Sequence, residues 1–287
     1  MKRPEDGSPG SRTFGRSFAT DDRTVPGGHR TGSKPCAILL ALALAVVAAC
    51  APSTEPIESA SLVLENCRVL SMQNAEIQLD STLVVDGDTL VAVGPNGSFS
   101  FPPETPRVDC GDQYVLPGLT DMHVHIGHPT ELLSYLLAGV TTVVNLGGDH
   151  LDLFSGDRLS VLDLRQAVET KALIGPTLYS TGQALDGDPA TGPFQRALPS
   201  VDAAIAAVEE QHAAGFDFIK VYDGLDAERH RAIIERATEL GLAVFGHVPE
   251  AVGVAGTLAS GQAVIAHAEE FCPAVEEADS EPSEDSR

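Results

Sequence analysis

Basic residues are scarce in this chain of 287 residues. It contains 18 Lys and Arg against 41 Asp and Glu, which gives a formal net charge of −23. A nucleic-acid-binding surface needs positive charge to meet phosphates, so this balance argues against DNA or RNA as a partner. Hydrophobic residues make up 43% of the chain and charged residues 21%, which is close to the globular average, so we expect a folded core.

Cysteine is sparse as well. No two of the five cysteines have the spacing of a zinc finger, which excludes a structural zinc site of that kind. Cys36 and Cys50 flank an apolar stretch, whereas Cys67, Cys110 and Cys272 are scattered singly. This pattern does not predict a disulfide framework. We expect Cys67 and Cys110 to be small buried residues in strands.

No apolar run reaches the length of about 20 residues that a transmembrane helix needs. The apolar run Cys36–Ala49 has 14 residues and follows Arg30 and Lys34, as in the core of a signal peptide. The last three residues of the run and the next residue read Val-Ala-Ala-Cys50, which resembles the lipobox of bacterial lipoproteins. We therefore predict lipidation at Cys50, with a plain secretory signal as the alternative. Ala51 replaces the aspartate that signals inner-membrane retention, so the expected location is the cell envelope, anchored at the outer membrane and facing the periplasm.

The pattern of apolar, turn-forming and charged residues divides the chain into five parts. We predict a leader over 1–50, a linker over 51–60, part of a small β-sandwich over 61–112, an incomplete barrel over 113–272 and an acidic disordered tail over 273–287. In the third part short β-rich runs alternate with turns, including a hairpin turn at Asp86-Gly87-Asp88. In the fourth part β-rich runs alternate with helical patterns, which indicates parallel βαβ units.

Six strands and two clear helices are predicted in this α/β part. The strands are Tyr114–Leu119, Thr141–Leu146, Thr177–Ser180, Phe216–Tyr222, Leu242–Val248 and Ala263–Ala268. The helices cover 200–214 and 226–240, where Ser200 and Asp226 are good N-caps and Gly215 and Gly241 follow the ends. Ile233, Ile234, Ala237 and Leu240 recur at helical spacing and predict one buried stripe.

Ionisable side chains fall near the ends of these strands. The segment LPGLTDMHVH places His123 and His125 two residues apart, so both imidazoles point to one face of a strand. Two neutral imidazoles at the mouth of a barrel suit a divalent metal ion. The segment FIKVYDGLD places Lys220 in an apolar strand, where burial of its charge is costly unless the head reaches solvent. His247 and His267 end the next two strands, in FGHVPE and VIAHAEEF.

These four segments resemble the amidohydrolase superfamily, specifically its imidazolonepropionase-like and Xaa-Pro dipeptidase-like branch, from about Ser61 to Phe271. The resemblance implies a (β/α)8-type metal-dependent hydrolase barrel. It implies five metal ligands: His123, His125, His247, His267 and a carboxylated Lys220 that bridges two ions, with zinc favoured over manganese, cobalt or iron. It also implies hydrolysis of carbon–nitrogen bonds in a small molecule or dipeptide by a metal-activated water.

Other candidates are less specific. Tyr222 lies on the same side of its strand as Lys220 and is a candidate substrate contact, although a packed barrel residue fits equally. His128, in the first βα loop, is a second candidate, with a surface loop histidine as the alternative. Asp121 is expected to shape the end of its strand. His212 and His230 are expected to face solvent from helices.

The sequence departs from the family at its carboxyl end. About six of the eight strand units are present, and no candidate exists for the general-base aspartate that the eighth strand supplies in the family. Residues 276–285 hold six carboxylates and no apolar run. We therefore expect a truncated product, a frameshifted reading or one half of a split protein. The alternative function is a non-catalytic, metal-binding lipoprotein derived from such an enzyme. The sequence does not predict the substrate or the oligomeric state.

Overall fold

The structure is a computed structural model that describes residues 54–151, 158–192 and 194–275. The predicted leader with Cys50 and residues 276–287 of the predicted tail lie outside the described residues. The part of the chain that is described contains no helix that combines the length and apolarity required to span a bilayer. The chain divides into two compact units. The first runs to Leu64 and includes Thr82–Val108, and the second comprises Glu65–Ser81 and the residues from Asp109 onward.

Short strands dominate the amino-terminal part. They are β1 (Glu55–Pro56), β2 (Leu62–Leu70), β3 (Ile77–Asp86), β4 (Thr89–Pro95), β5 (Phe99–Ser100), β6 (Arg107–Asp109) and β7 (Tyr114–Val115). One sheet has the order β4-β3-β2-β6 with β7 paired to β2, and β1 pairs with β5. The predicted hairpin between β3 and β4 is confirmed, and Gly87 takes the positive φ of 62° that its turn requires. Glu55–Pro56, which the sequence analysis assigned to a linker, pairs with β5 as a strand.

The expectation of two unpaired cysteines in this region is wrong. Cys67 and Cys110 form a disulfide with a Cα–Cα distance of 5.1 Å. Cys67 is buried in β2 as predicted, but Cys110 follows β6 and is only partly buried. The two residues are 43 positions apart in sequence. Spacing alone could not reveal the pair, because the pair depends on which segments are neighbours in the fold. The amide of Cys110 donates to the carbonyl of Glu65, which brings the two segments side by side.

The second unit carries the parallel strands of the barrel. They are β8 (Leu119–Val124), β9 (Val140–Asn145), β12 (Thr177–Ser180), β13 (Leu185–Asp186), β15 (Phe218–Val221), β16 (Ala243–Gly246) and β17 (Val264–Ile265). Short strands β10 (His150–Leu151), β11 (Arg158–Leu159) and β14 (Arg196–Ala197) lie between them. The sheets have the orders β12-β9-β8 and β14-β13-β15-β16-β17, and a parallel bridge joins Thr181 to Phe218.

Five of the six predicted barrel strands are found where they were predicted. The first lies later than predicted. Tyr114–Val115 pairs with β2 as part of the amino-terminal sheet, and the first barrel strand is β8. The prediction was wrong because Pro117 and Gly118 interrupt the apolar run, and β-propensity could not show which of its two ends joins the barrel.

Helices alternate with these strands along the chain. They are α1 (Glu131–Leu137), α2 (Val161–Glu169), α3 (Val201–Ala214), α4 (Ala227–Glu239), α5 (Gly253–Ser260) and α6 (Cys272–Val275), with a 3-10 turn over Ala268–Phe271. The predicted caps are confirmed: Ser200 accepts from the amide of Ala203, and Asp226 accepts from that of Arg229.

The predicted apolar stripe of α4 is confirmed and fixes the helix against the barrel. Ile233 and Ala237 are fully buried and lie in one core cluster with Ile219, Val221 and Val244 of β15 and β16. Burial of an aliphatic side chain of this size contributes about 1.5–3 kcal/mol. This packing holds the ends of two neighbouring strands in place.

His212 is exposed, as expected, but the prediction for His230 is wrong. His230 is 2% exposed. It precedes Ile233 and Ile234 by three and four residues, so it lies on the buried stripe of α4 rather than on the solvent face. Its Nε2 lies 3.0 Å from Oε1 of Gln262.

Candidate metal centre

The predicted ligands all lie at the carboxyl ends of parallel strands. His123 belongs to the end of β8 and His125 follows it, while His247 and His267 follow β16 and β17. Lys220 lies in β15, and the register pairs it with Phe245 of β16. Because parallel strands present their carboxyl ends at one edge, the fold brings together side chains that are far apart in sequence.

The four histidines form a continuous group. Ring centroids are 5.2 Å apart for His123 and His125, 4.7 Å for His123 and His267, and 4.7 Å for His267 and His247. Nε2 of His123 lies 3.1 Å from Nε2 of His125. Two imidazoles from one strand therefore direct ring nitrogens toward one position, with two further imidazoles beside it.

Lys220 is buried within this group. Its residue is only 2% exposed, which excludes the alternative that its head reaches solvent. Its Nζ lies 5.7 Å from the centroid of the Tyr222 ring. Burial lowers the pKa of Lys220 to about 8, against an opposing effect of the nearby Asp223 carboxylate. At pH 7 the amine is therefore still mostly protonated, with a neutral fraction of about a tenth.

Tyr222, the candidate substrate contact, lies beside His247, and its substrate-binding role stays a prediction. Its ring centroid is 4.0 Å from that of His247, and the residue is partly buried. Burial, followed by the charges of Asp223, Asp186 and Glu270, raises the pKa of Tyr222, so its hydroxyl stays protonated and can donate.

Two carboxylates near His247 were not assigned a role from the sequence. Nδ1 of His247 lies 2.8 Å from Oε1 of Glu270 and 3.0 Å from Oδ1 of Asp223. One donor atom from each of the three residues lies within 4.8 Å of the others. Their positions in the sequence could have identified them, because both carboxylates lie three residues beyond a predicted ligand, in FIKVYDGLD and VIAHAEEF.

Asp186 is a third carboxylate that the sequence did not indicate. It is fully buried at the end of β13. Its Oδ1 accepts from the amides of Gly187 and Gly224, both at 2.8 Å, and its Oδ2 accepts from that of Thr191 at 2.6 Å. The loops that follow β13 and β15 are thereby tied together. A Cβ at position 187 would come within 2.0 Å of the carbonyl oxygen of Gly224, so the close approach needs glycine there.

The remaining predicted residues occupy supporting positions. Asp121 accepts a hydrogen bond from the amide of His123 at 3.0 Å, so it shapes the end of β8 as expected. Nδ1 of His128 lies 2.7 Å from the hydroxyl of Thr130, in the loop before α1. The substrate-binding role predicted for His128 stays a prediction.

The donor set suits a divalent metal ion. Burial, together with the nearby charges of Lys220, His267 and His247, lowers the pKa of His123. The imidazole therefore stays neutral and keeps the lone pair that a metal requires. Neutral imidazole nitrogens with a lysine that can gain a carboxylate form a nitrogen and oxygen donor set that zinc accepts. The residues present thus fit the divalent metal of the resembled family.

Comparison with known proteins agrees with this geometry. The chain is 32% identical over 212 residues to an adenine deaminase of Chelativorans sp. (strain BNC1) and 31% identical over 213 residues to adenine deaminase 2 of Bradyrhizobium sp. (strain ORS 278). Each match covers 70% of this chain and 34% of the relative, so the chain spans about a third of the length of these curated relatives. A solved Xaa-Pro dipeptidase superposes with a TM-score of 0.57 at 21% identity, over 69% of this chain and 58% of that one. No family model matches the chain.

The parallel strands and the helices that alternate with them define part of a barrel of the (β/α)8 type. The sequence relatives and the structural neighbours together support membership of the chain in the amidohydrolase superfamily.

Proposed function

We propose that this chain is a metal-dependent hydrolase that cleaves a carbon–nitrogen bond, amide or dipeptide, in a small molecule. The observation that carries the proposal is the continuous group of His125, His123, His267 and His247 beside a lysine that is 2% exposed. The relatives named adenine deaminase and the solved Xaa-Pro dipeptidase supply the class of bond.

The four histidines and Lys220 would hold two divalent ions, with zinc as the first candidate. The bound metal would lower the pKa of a water and polarise the scissile carbon–nitrogen group. Lys220 is suited to modification, because its neutral amine can add to carbon dioxide with loss of a proton to give a carbamate. That carbamate would place an anionic oxygen ligand where a buried cation is costly. Tyr222 would donate its hydroxyl to the substrate, and His128 would contact it from the first βα loop.

We also propose that the chain is a lipoprotein anchored through Cys50 in the cell envelope. The basic and apolar leader and the lipobox-like ending support this proposal. The Cys67–Cys110 disulfide supports it independently, since disulfides persist mainly in oxidising compartments such as the periplasm. Metabolic labelling with a fatty acid tests it: wild type should take up label, and Cys50→Ser should not. Equal labelling of both chains would refute lipidation at this residue.

The catalytic proposal is tested by incubating the zinc-loaded full chain with adenine, simple amides and Xaa-Pro dipeptides, and measuring released ammonia or amine. One of these substrates should be hydrolysed by wild type and by His212→Gln, whose side chain is exposed on α3. Lys220→Met should lose the activity while it keeps the fold, because methionine fills a similar volume without a ligand atom. Equal turnover by Lys220→Met and wild type would overturn the assignment of Lys220.

A further inference from the structure

Asn145 is a fully buried amide side chain at the end of β9, and it contacts three separate segments. Its Oδ1 accepts from the amide of Ile126 at 3.1 Å, and its Nδ2 donates to the carbonyl of Gly148 at 3.1 Å and to the hydroxyl of Ser180 at 3.0 Å. A backbone amide only donates and a carbonyl only accepts, so these partners fix which end of the carboxamide carries the oxygen. Every polar atom of this buried side chain is therefore bonded.

His125 lies between two hydrogen bonds to the end of β9. The carbonyl of Val124, the residue before it, accepts from the amide of Leu146 at 2.9 Å. The amide of Ile126, the residue after it, donates to the Asn145 side chain. The backbone on both sides of His125 is thus attached to two consecutive residues of the neighbouring segment, so the direction of its imidazole depends on both bonds.

Strand β8 is irregular where it carries its histidines. Asp121 pairs with Val143 and Val124 pairs with Asn145, so β8 advances by three residues while β9 advances by two. A bulge of this kind bends the strand, re-aims its side chains and interrupts the ladder of backbone bonds. Ile126, which is 1% exposed, lies beyond the bulge, and its amide bonds to a side chain rather than to a strand carbonyl. A buried amide without an acceptor is costly, so the conformation of this segment depends on Asn145.

The other bonds of Asn145 reach positions that are held in place by packing. Gly148 has a φ of 64°, and a Cβ there would come within 2.6 Å of the carbonyl carbon of Gly182, so its backbone packs directly on the loop after β12. Ser180 is the last residue of β12 and is fully buried. Asn145 therefore ties the first βα loop to the ends of the second and third barrel strands.

We propose that Asn145 is a positioning residue that holds the backbone beside His125 before metal binds and so directs the His125 imidazole into the metal centre. This inference rests on the proposed function, in which His125 is a metal ligand. A metal site works only when its ligands are held within about 0.5 Å of the productive geometry, and loss of a group that supports a ligand costs about 10–100-fold in metal affinity.

The test compares two variants of one hydrogen-bond network. Asn145→Leu has a similar shape and removes the bond to Ile126 with the others. Ser180→Ala is the matched control, because it removes a different bond of the same side chain and leaves the bond to Ile126 in place. If Asn145→Leu does not fold, Asn145→Ser takes its place, since the shorter hydroxyl does not reach the Ile126 amide. Urea unfolding of each variant measures the structural cost separately.

The first readout is the dissociation constant for zinc, measured on the full chain by competition with a chromophoric chelator. Asn145→Leu should bind zinc about 10–100-fold more weakly, whereas Ser180→Ala should bind it like wild type although it also loses stability. In a His125→Gln background Asn145→Leu should add no further loss, because effects that act through one group are not additive. Wild-type affinity in Asn145→Leu, or an equal further loss in the His125→Gln background, would overturn the proposal.

The second readout needs no metal. It is the rate at which the Ile126 amide exchanges with deuterium in the metal-free full chain, measured by NMR relative to the buried Ala237 of α4. This ratio should be the same in wild type and Ser180→Ala and should rise in Asn145→Leu. A chain that binds no zinc would refute the proposed function, while the exchange of Ile126 still decides whether Asn145 holds the segment. A chain that binds zinc, with an unchanged ratio in Asn145→Leu, would refute only the positioning role.

Discussion

Oε1 of Gln262 lies 3.0 Å from Nε2 of the buried His230, and Nε2 of the same glutamine donates to the carbonyl of His247 at 3.0 Å. The glutamine amide also lies 3.2 Å from the carbonyls of Gly246 and Val264. Since the glutamine oxygen is an acceptor, His230 must donate from Nε2. A side chain on α4 is thereby linked through one glutamine to the backbone of the strand that ends at a predicted ligand.

Removal of the donor should therefore destabilise the barrel. His230→Leu leaves the Gln262 oxygen buried without its partner, which costs about 1–3 kcal/mol. The free energy of unfolding of the full chain in urea should fall by that amount. His212→Leu, at an exposed position of α3, should change it by less than about 0.5 kcal/mol. Equal losses from both variants would show that the His230–Gln262 bond contributes nothing specific.

The same histidine predicts a dependence of stability on pH. Burial, the largest effect, lowers the pKa of His230 below its ordinary value of 6.5, against the opposing bond to Gln262. Below pH 6.5 the unfolded chain binds a proton that the folded chain resists, so stability is fully present above that pH and falls as the pH drops below it. His230→Gln cannot titrate and can still donate to Gln262. Its free energy of unfolding should fall less than that of wild type between pH 7.5 and pH 5.5, and parallel curves would contradict the prediction.

Reduction of the Cys67–Cys110 disulfide should lower stability. A bridge between residues 43 positions apart restricts the unfolded chain, and its loss costs about 2–4 kcal/mol. The double variant Cys67→Ala, Cys110→Ala should unfold at a correspondingly lower urea concentration, and added reductant should not shift it further. Cys272→Ser changes only an exposed free cysteine and should match wild type. A double variant as stable as wild type would show that the bridge does not stabilise the fold.

Asp186 should matter more than its neighbour Asp188. Asp186→Asn replaces one accepting oxygen by an amide that faces backbone donors, so at least one of the amides of Gly187, Gly224 and Thr191 loses its acceptor. A loss of about 1–3 kcal/mol is expected in urea unfolding. Asp188→Asn alters an exposed carboxylate in the same loop and should have little effect. If the two variants unfold alike, the buried carboxylate does not hold these loops.

Much of the barrel could be predicted because local signals agree with the fold. Helix α4 has an N-cap at Asp226 and a stripe of buried aliphatic residues that point to the same boundaries. Lys220 and the four histidines lie near the ends of predicted parallel strands, and the resemblance of their four segments to the amidohydrolase superfamily implied that they form one ligand set.

Other features of the fold and the site depend on tertiary contacts that sequence spacing does not encode. The disulfide depends on which strands are neighbours, and the burial of His230 depends on which face of α4 meets the barrel. Glu270 and Asp223 meet His247 only because two loops converge from different strands. Each of these features requires the tertiary structure, since no local pattern distinguishes such carboxylates from solvated ones.

The two-metal site is tested most directly by the zinc content of the full chain, measured by elemental analysis after equilibration with zinc and removal of free metal. About two zinc ions per chain are expected, as a two-metal site requires. Lys220→Met and His123→Gln should clearly lose zinc, whereas His212→Gln should keep the wild-type content. A wild-type chain that retains no zinc, or a Lys220→Met chain that retains as much as wild type, would show that these residues do not form the metal centre.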